Sequence, residues 1–242
     1  TIEGGDGSGK GEAVRILGSL AKRLAFPNVH MTHEPRRHSE LGKIALRAVS
    51  KGGHTPLQEA GLFAADRVDH SHTWIRPRLL NGDLVISDRN IHSSLVYQGV
   101  VGELGLEQVA KMNAAAMIPD LVIWIDCDPA KAMKRINSGT LRMAGQKHEY
   151  FETTEIQTKI RAGFKGILSG EIETPAPFNR SLVIGPVLNE GGLDELEKQL
   201  SQALSSFFNR RPDPLNVNRD EVDRHLLKRL TTGVQTQQRL PG

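Results

Sequence analysis

The sequence predicts an α/β domain: a parallel sheet covered by helices on both faces. Three observations lead there. A glycine-rich stretch, Gly4-x-x-x-x-Gly9-Lys10, follows the first apolar residues at once. Short apolar runs then alternate with amphipathic segments along the chain. The stretches that close two of those runs, His33 to Arg37 and Asp88-Arg89, are charged, and open α/β sheets bind ligands at the carboxyl ends of their strands.

Each element has its own signal. The first strand ends at Glu3. A buried strand takes about five residues, so the polypeptide is expected to begin upstream of Thr1. A helix is expected from Lys10 to Ala25, with Val14, Leu17, Leu20, Ala21 and Leu24 on one face; Pro27-Asn28 breaks it. Val29–Thr32 is a strand. Ser39 to Val49 is a helix, closed by Lys51-Gly52-Gly53. Pro56 opens a helix that runs to Leu80 and carries Phe63 and Arg67 one turn apart. After the Asn81-Gly82 turn, Leu84–Asp88 reads as a buried strand. Ile91–Tyr97 is helical and ends near Gly99, and Leu106–Met117 is a helix. Pro119-Asp120 leads into strand Leu121–Ile125.

The second half continues the alternation. Asp128-Pro129 starts a helix with proline in its first turn, and Ser138-Gly139 ends it. Thr140–His148 is polar and aperiodic, which predicts a mobile loop. Thr153–Leu168 is helical, Ser181–Ile184 is the last strand, and Leu193–Phe208 is a helix. Beyond Arg211 come Pro212-Asp213-Pro214, a charged helix near Asp220–Leu230 and a polar tail. The expected division is a domain over 1–210 and a mostly solvated appendage over 211–242.

The glycine-rich stretch carries the first chemistry. Five glycines in the first eleven residues allow positive φ and close approach to a ligand. Successive N–H groups then form an anion nest at a helix N-terminus, and Lys10 adds a point charge. This is the spacing of a phosphate-binding P-loop. Its usual last residue, a Ser or Thr whose hydroxyl meets Mg²⁺, is replaced by Gly11, with Glu12 after it.

Composition narrows the classes. The 242 residues are 38 % hydrophobic and 5 % aromatic, enough for a core. No apolar run is long enough to span a bilayer. The formal net charge of +3 describes a near-balance, so no nucleic-acid surface is expected. One cysteine, Cys127, cannot form an internal disulfide; it reads as core packing and suits a reducing cytoplasm. The nine histidines are scattered and form no zinc spacing with cysteine.

In order along the chain stand the P-loop, His33-Glu34-Pro35-Arg36-Arg37, Phe63-Ala64-Ala65-Asp66-Arg67, Asp88-Arg89 and Ser93-Ser94-Leu95-Val96-Tyr97-Gln98-Gly99. This set, over residues 1 to about 208, resembles the thymidylate kinase family. The resemblance implies a P-loop NTPase fold: a three-layer α/β/α sandwich with a five-stranded parallel sheet and a short lid, here near 138–151. It implies transfer of the γ-phosphate of ATP to dTMP with Mg²⁺, usually by a homodimer; helices around Glu59–Leu80 and Leu106–Met117 are the expected faces.

It also implies roles. Gly4, Gly5, Asp6, Gly7, Ser8, Gly9, Lys10, Gly11 and Glu12 would surround the ATP phosphates, with Arg135 at the lid base. Lys10, Asp88, Arg89 and the lid residue Arg142 would be catalytic. Arg37 and Arg89 would clamp the dTMP phosphate, since a guanidinium binds phosphate oxygens in pairs. Pro35 would pack beside the sugar and base, and Phe63 would stack on thymine. Arg67 would donate to a thymine carbonyl, and Ser94 would read the ring N–H edge. Tyr97 would crowd the 2′ position, with Gln98 beside it. Asp6 would meet the 3′-hydroxyl region. Asp88 would hold Mg²⁺ through water, offsetting Gly11.

The chain departs from the family at three further places. His33 stands where bacterial members carry arginine, Arg36-Arg37 replaces Gly-Gly, and Tyr150 replaces a basic residue at the lid's end. Two other readings follow from these residues: a nucleotide-binding protein with weakened catalysis, motivated by Gly11-Glu12, and a related nucleotide or nucleoside kinase on the same scaffold.

Overall fold

The computed structural model describes residues 1–137, 153–210 and 212–237. Its sheet holds five parallel strands in the order β2-β3-β1-β4-β5: β1 (Ile2–Glu3), β2 (Val29–His33), β3 (Leu84–Asp88), β4 (Leu121–Asp126) and β5 (Leu182–Leu188). Helices cover both faces, which is the expected α/β class. Registry levels the strand ends. Ile2 lies opposite both Asp88 and Ile123, and His33 lies opposite Asp88. The glycine-rich loop, the His33–Arg37 loop and Asp88-Arg89 therefore leave the sheet along one edge.

The period-2 alternation of the central strands sends residues to two cores. Ile2, Ile123 and Ile125 pack with Val14 and Leu17 of α1 (Lys10–Ala21) and with Leu196 and Leu200 of α9 (Leu193–Asn209). Val122 and Trp124 face the other way, against Leu95, Val109, Ile160 and Phe164. These come from α5 (Ile91–Ser94) with its π-helical continuation Leu95–Val101, from α6 (Leu106–Met112), and from α8 (Thr154–Leu168). The helices α2 (Glu40–Lys51) and α3 (Pro56–His70) pack on each other. Side chains cap the helix starts: Ser39 caps α2, Thr55 caps α3 in a capping box with Gln58, and Thr153 caps α8.

Four expectations need correction. The first helix ends at Ala21, not Ala25; Arg23 and Leu24 instead donate to Leu20 and Ala21 in tighter turns ahead of Pro27. The helix from Pro56 does not run unbroken to Leu80. Pro77 has no N–H for residue 73, and the backbone widens into π turns over Ser71–Ile75 before α4 (Arg76–Leu80). The helix from Leu106 stops at Met112 rather than Met117. Asn113 ends it by turning its side chain to Arg67, and His72 takes the Ala115 carbonyl at 2.8 Å. The last strand extends to Leu188. Gly185-Pro186 reads as a breaker, but on an edge strand it is absorbed by a register shift.

The C-terminal segment is mostly exposed, as expected, but its start is anchored to the domain. Asn216 brackets residue 118, accepting the Ile118 N–H at 2.7 Å and donating to its carbonyl at 2.7 Å. Val217 is buried, and Leu215 N–H donates to Asp120. From there α10 (Arg219–Gln237) leads away, tied by Arg76–Glu221 and leaving Leu227 and Leu230 exposed. These contacts lie at the amino-terminal end of the strands, opposite the charged edge. No helix among the described residues is long and apolar enough to cross a membrane.

Candidate active site

The loop after β1 is an anion nest set on a helix. Gly7 and Gly9 have φ of +71° and +97°, which L side chains rarely adopt. A Cβ on Gly7 would lie 2.5 Å from the carbonyl oxygen of Ala132 on α7 (Pro129–Asn137). The first helical bond of α1 runs from Ala13 N–H to Gly9 C=O at 3.0 Å. The N–H groups of Lys10, Gly11 and Glu12 thus lie outside the helical ladder, at the positive end of the helix dipole. Lys10 is buried, and its Nζ donates to Gly5 C=O at 2.7 Å. Burial first, and Arg89 second, lower its pKa to about 8. Gly11 is exposed, and a Cβ there would meet nothing within 4 Å. Glu12 turns to Arg15 in a surface pair.

On the neighbouring strand, Asp88 and Arg89 close β3. Arg89 adopts φ +68°, a conformation that costs a non-glycine residue roughly 1–3 kcal/mol. Its N–H donates to Ile2 C=O at 2.9 Å, and its C=O accepts from Ser87 Oγ at 2.8 Å. The guanidinium is thereby aimed across the mouth of the loop. It pairs with Asp6 and donates to Ser93 Oγ at 2.9 Å and to the Tyr97 hydroxyl at 3.1 Å. Asp6 also accepts from Tyr97 at 2.8 Å and from Gln157 at 3.3 Å. Burial pushes the Asp6 carboxyl up, but Arg89 and then Lys10 outweigh it, so the net shift is downward. Asp88 differs: its Oδ1 is buried with no partner among the described residues. Beneath both, Glu3 is fully buried, which raises its pKa; it accepts from Asn90 N–H at 2.7 Å and Ser93 Oγ at 2.6 Å.

The third wall is α3 with the loop after β2. Arg36 is a brace: its backbone N–H and its guanidinium both bind Asp66, and the guanidinium also pairs with Asp69. Arg37 is exposed, and its backbone N–H donates to His33 Nε2 at 3.2 Å. Its side chain pairs with no carboxylate among the described residues. Phe63 is half-buried and belongs to neither core cluster. One turn on, Arg67 is buried within a polar network. It donates to Glu34 at 2.7 Å, Asn113 at 2.7 Å, Ser94 at 3.0 Å and Asn90 C=O at 3.3 Å. Glu34 in turn accepts from Asn90 at 3.1 Å and shares a 3.0 Å bond with His70. Pro35 is half-buried beside this network. Gln98 is buried near Glu59 of α3, whose pKa burial raises.

Behind the loop, Arg135 of α7 reaches Gly7 C=O at 3.4 Å, Asn189 C=O at 2.9 Å and Cys127 Sγ at 3.4 Å. Cys127 is buried, as its core reading expects. Arg161 grips Asp126 with two bonds of 2.8 and 2.7 Å. Arg142 and the expected lid core, 138–151, lie outside the described residues.

The structure thus joins Asp6, Arg89 and Tyr97 by direct bonds, with Lys10 near enough for its charge to act on Asp6, Asp88 beside them at the strand end and Arg135 behind the loop. Arg67 and Ser94 touch each other. Phe63 stands on α3, and Pro35 and Arg37 on the loop after β2, outside that bonded group. Sequence reasoning missed Glu3, Glu34, Asn90, Asn113, Gln157 and Asn189. Glu34 and Asn90 sit beside residues already singled out, so adjacency to a motif was a usable signal. Asn113 and Asn189 carried none, because each acts on a partner far along the chain.

Comparison with known proteins gives one family. The family model described as Thymidylate kinase matches residues 2–174. The chain is similar to the "Probable thymidylate kinase" of Thermococcus onnurineus, 39 % identical over 67 % of this chain and 80 % of the relative. It is 34 % identical to the "Probable thymidylate kinase" of Methanococcoides burtonii, over 86 % of this chain and 96 % of the relative. It is 33 % identical to the "Thymidylate kinase" of Clavibacter michiganensis, over 72 % and 82 %.

Proposed function

This chain belongs to the thymidylate kinase family and phosphorylates dTMP in nucleotide biosynthesis; from that premise we propose how its residues do so, with ATP as donor and Mg²⁺ as the accompanying ion. The observation that carries the proposal is the Arg89–Asp6 pair, which bridges the P-loop and the acceptor wall. Two phosphate-binding devices that share one bridge suit two nucleotides meeting tail to tail.

On the donor side, the N–H groups of the loop and of the first turn of α1 cradle the β- and γ-phosphates. Lys10 leaves the Gly5 carbonyl for a phosphate oxygen, and Arg135 backs the loop. On the acceptor side, Arg37 and Arg89 bind the dTMP phosphate. Arg67 and Ser94 present donor and acceptor atoms to the thymine edge, Phe63 stacks on its face, and Pro35 packs beside the sugar. Tyr97, held between Asp6 and Arg89, crowds the 2′ position, with Gln98 behind it, and Asp6 meets the 3′ region. The chemistry is largely positioning and charge neutralisation. The acceptor phosphate is already ionised, so no general base is needed. Arg142 would add a further positive charge to the transferring group.

Asp88 fits Mg²⁺ held through water, since its Oδ1 is buried without a protein partner among the described residues. Among those residues no cluster of three ligating side chains exists, in keeping with an ion that retains waters and binds mainly phosphate. When bound, Mg²⁺ neutralises charge on the β- and γ-phosphates. We infer also a homodimer working in the cytoplasm, and a domain over 1–210 followed by an appendage. Sedimentation of the purified chain checks the first of these.

The direct test is an acceptor panel with ATP and Mg²⁺. ADP release is expected only with dTMP supplied, less with dUMP and least with dCMP. A chain that bound dTMP yet turned over no ATP at any Mg²⁺ concentration would sink the mechanism.

A further inference from the structure

The P-loop is held from outside by a residue from the far end of the sheet. Asn189 follows β5, and its backbone N–H donates to Asp126 C=O at 2.9 Å, one step past the last strand pair. Its side chain is buried, and Nδ2 donates to Ser8 C=O at 2.8 Å across 181 positions of sequence. The carbonyl of Asn189 accepts from Arg135, which also reaches Gly7 C=O. The fit is close: a Cβ on Gly9 would collide with the Asn189 amide nitrogen.

A trans peptide is planar, with its C=O and N–H on opposite sides. Holding the Ser8 carbonyl from behind therefore turns the Gly9 N–H the other way, into the loop. The Gly9 N–H donates to no acceptor among the described residues. By contrast the Ser8 N–H is already used, donating to Gly5 C=O at 3.3 Å. The peptide that Asn189 grips is thus one whose N–H is left for a ligand.

We propose that Asn189 is a positioning residue of the phosphate-binding loop: it orients the Ser8–Gly9 peptide so that the Gly9 N–H binds a donor phosphate oxygen. It touches the loop from the protein side and does not contact the reacting atoms. The amide also explains why position 9 must be glycine, beyond its positive φ: the space a side chain would need belongs to Asn189. The inference rests on the reading that this loop binds the phosphates of ATP.

The test separates phosphate binding from base binding. Asn189→Asp keeps the volume but sets an acceptor against the Ser8 carbonyl; Asn189→Ala removes the donor without adding charge and carries the test if the first variant fails to fold. Inorganic tripolyphosphate and adenosine are titrated calorimetrically, and KM is measured for ATP and for dTMP. Both variants are expected to weaken tripolyphosphate and raise the ATP KM on the order of tenfold, the scale of one buried hydrogen bond. Adenosine affinity and the dTMP KM stay as in the wild type. Unchanged tripolyphosphate affinity overturns the proposal. So does lost adenosine binding with tripolyphosphate intact, which would make Asn189 a base contact. An equal loss across all ligands with a lower melting temperature would reduce it to packing. Failure of the parent reading looks different: a wild-type chain that binds no tripolyphosphate fails before any variant is made, and the inference falls with it.

Discussion

Lys10 is buried beside Arg89, and burial first and Arg89 second lower its pKa to about 8. Its protonated form is the one that attracts phosphate. The free-enzyme profile of kcat/KM for ATP is therefore expected to hold below pH 8 and fall as pH rises through about 8, because kcat/KM reports groups of the free enzyme. A profile flat to pH 10 would remove Lys10 from phosphate binding. Phe63 is a separate residue-scale case. It lies outside both cores, so Phe63→Ala should spare the melting temperature while raising the dTMP KM roughly tenfold, since a base–aromatic stack is worth about 1–3 kcal/mol. Position 11 tests the metal. Its Cβ direction is open, so Gly11→Ser fits; with Asp88 as the metal's anchor, the serine changes the rate little, whereas Asp88→Asn raises the Mg²⁺ concentration needed for half-maximal rate. A large gain in Gly11→Ser would show that the natural loop binds the ion poorly.

At the scale of elements, what matters is how α3 is tied to the strand ends. Arg67 is 2 % exposed, and its charge is balanced mainly by Glu34. Removing one partner of a buried pair costs about 3–5 kcal/mol, because the other charge stays behind unpaired. Glu34→Ala should therefore lower the melting temperature sharply, unlike Phe63→Ala, and urea denaturation distinguishes the two. The motif residues here were legible in the sequence: Phe63 and Arg67 share a face by helical spacing, and Asp88-Arg89 closes an obvious strand. The residues that hold them were less so. Asn113 meets Arg67 only because the helix from Leu106 stops at Met112, and a turn made by tertiary hydrogen bonds leaves no local signature. The π turns before α4 were equally hidden, although Pro77 marked the place.

Across the whole molecule, the site and the C-terminal segment occupy opposite ends of the strands. The segment buries Val217 and half-buries Leu215 while bracketing Ile118. Truncation after Arg210 should thus cost stability, about 2–4 kcal/mol from the apolar side chains alone, and leave the KM values for dTMP and ATP unchanged. Thermal unfolding and steady-state kinetics on the same sample check both halves, and a shifted KM would tie the segment to the site.

The sequence by itself determined the class of fold and the identity of the chemical groups. Hydrophobic periodicity and turn residues are local, and so is the glycine-rich spacing from which a phosphate nest can be read. Only the tertiary structure decided which groups meet. The Arg89 clasp on Asp6 and Tyr97, the Glu34–Arg67–Asn113 network and the Asn189 grip on Ser8 all join residues remote in sequence. Strand registry and helix packing set such contacts, and a one-dimensional pattern carries no record of which distant side chain will fill a given space.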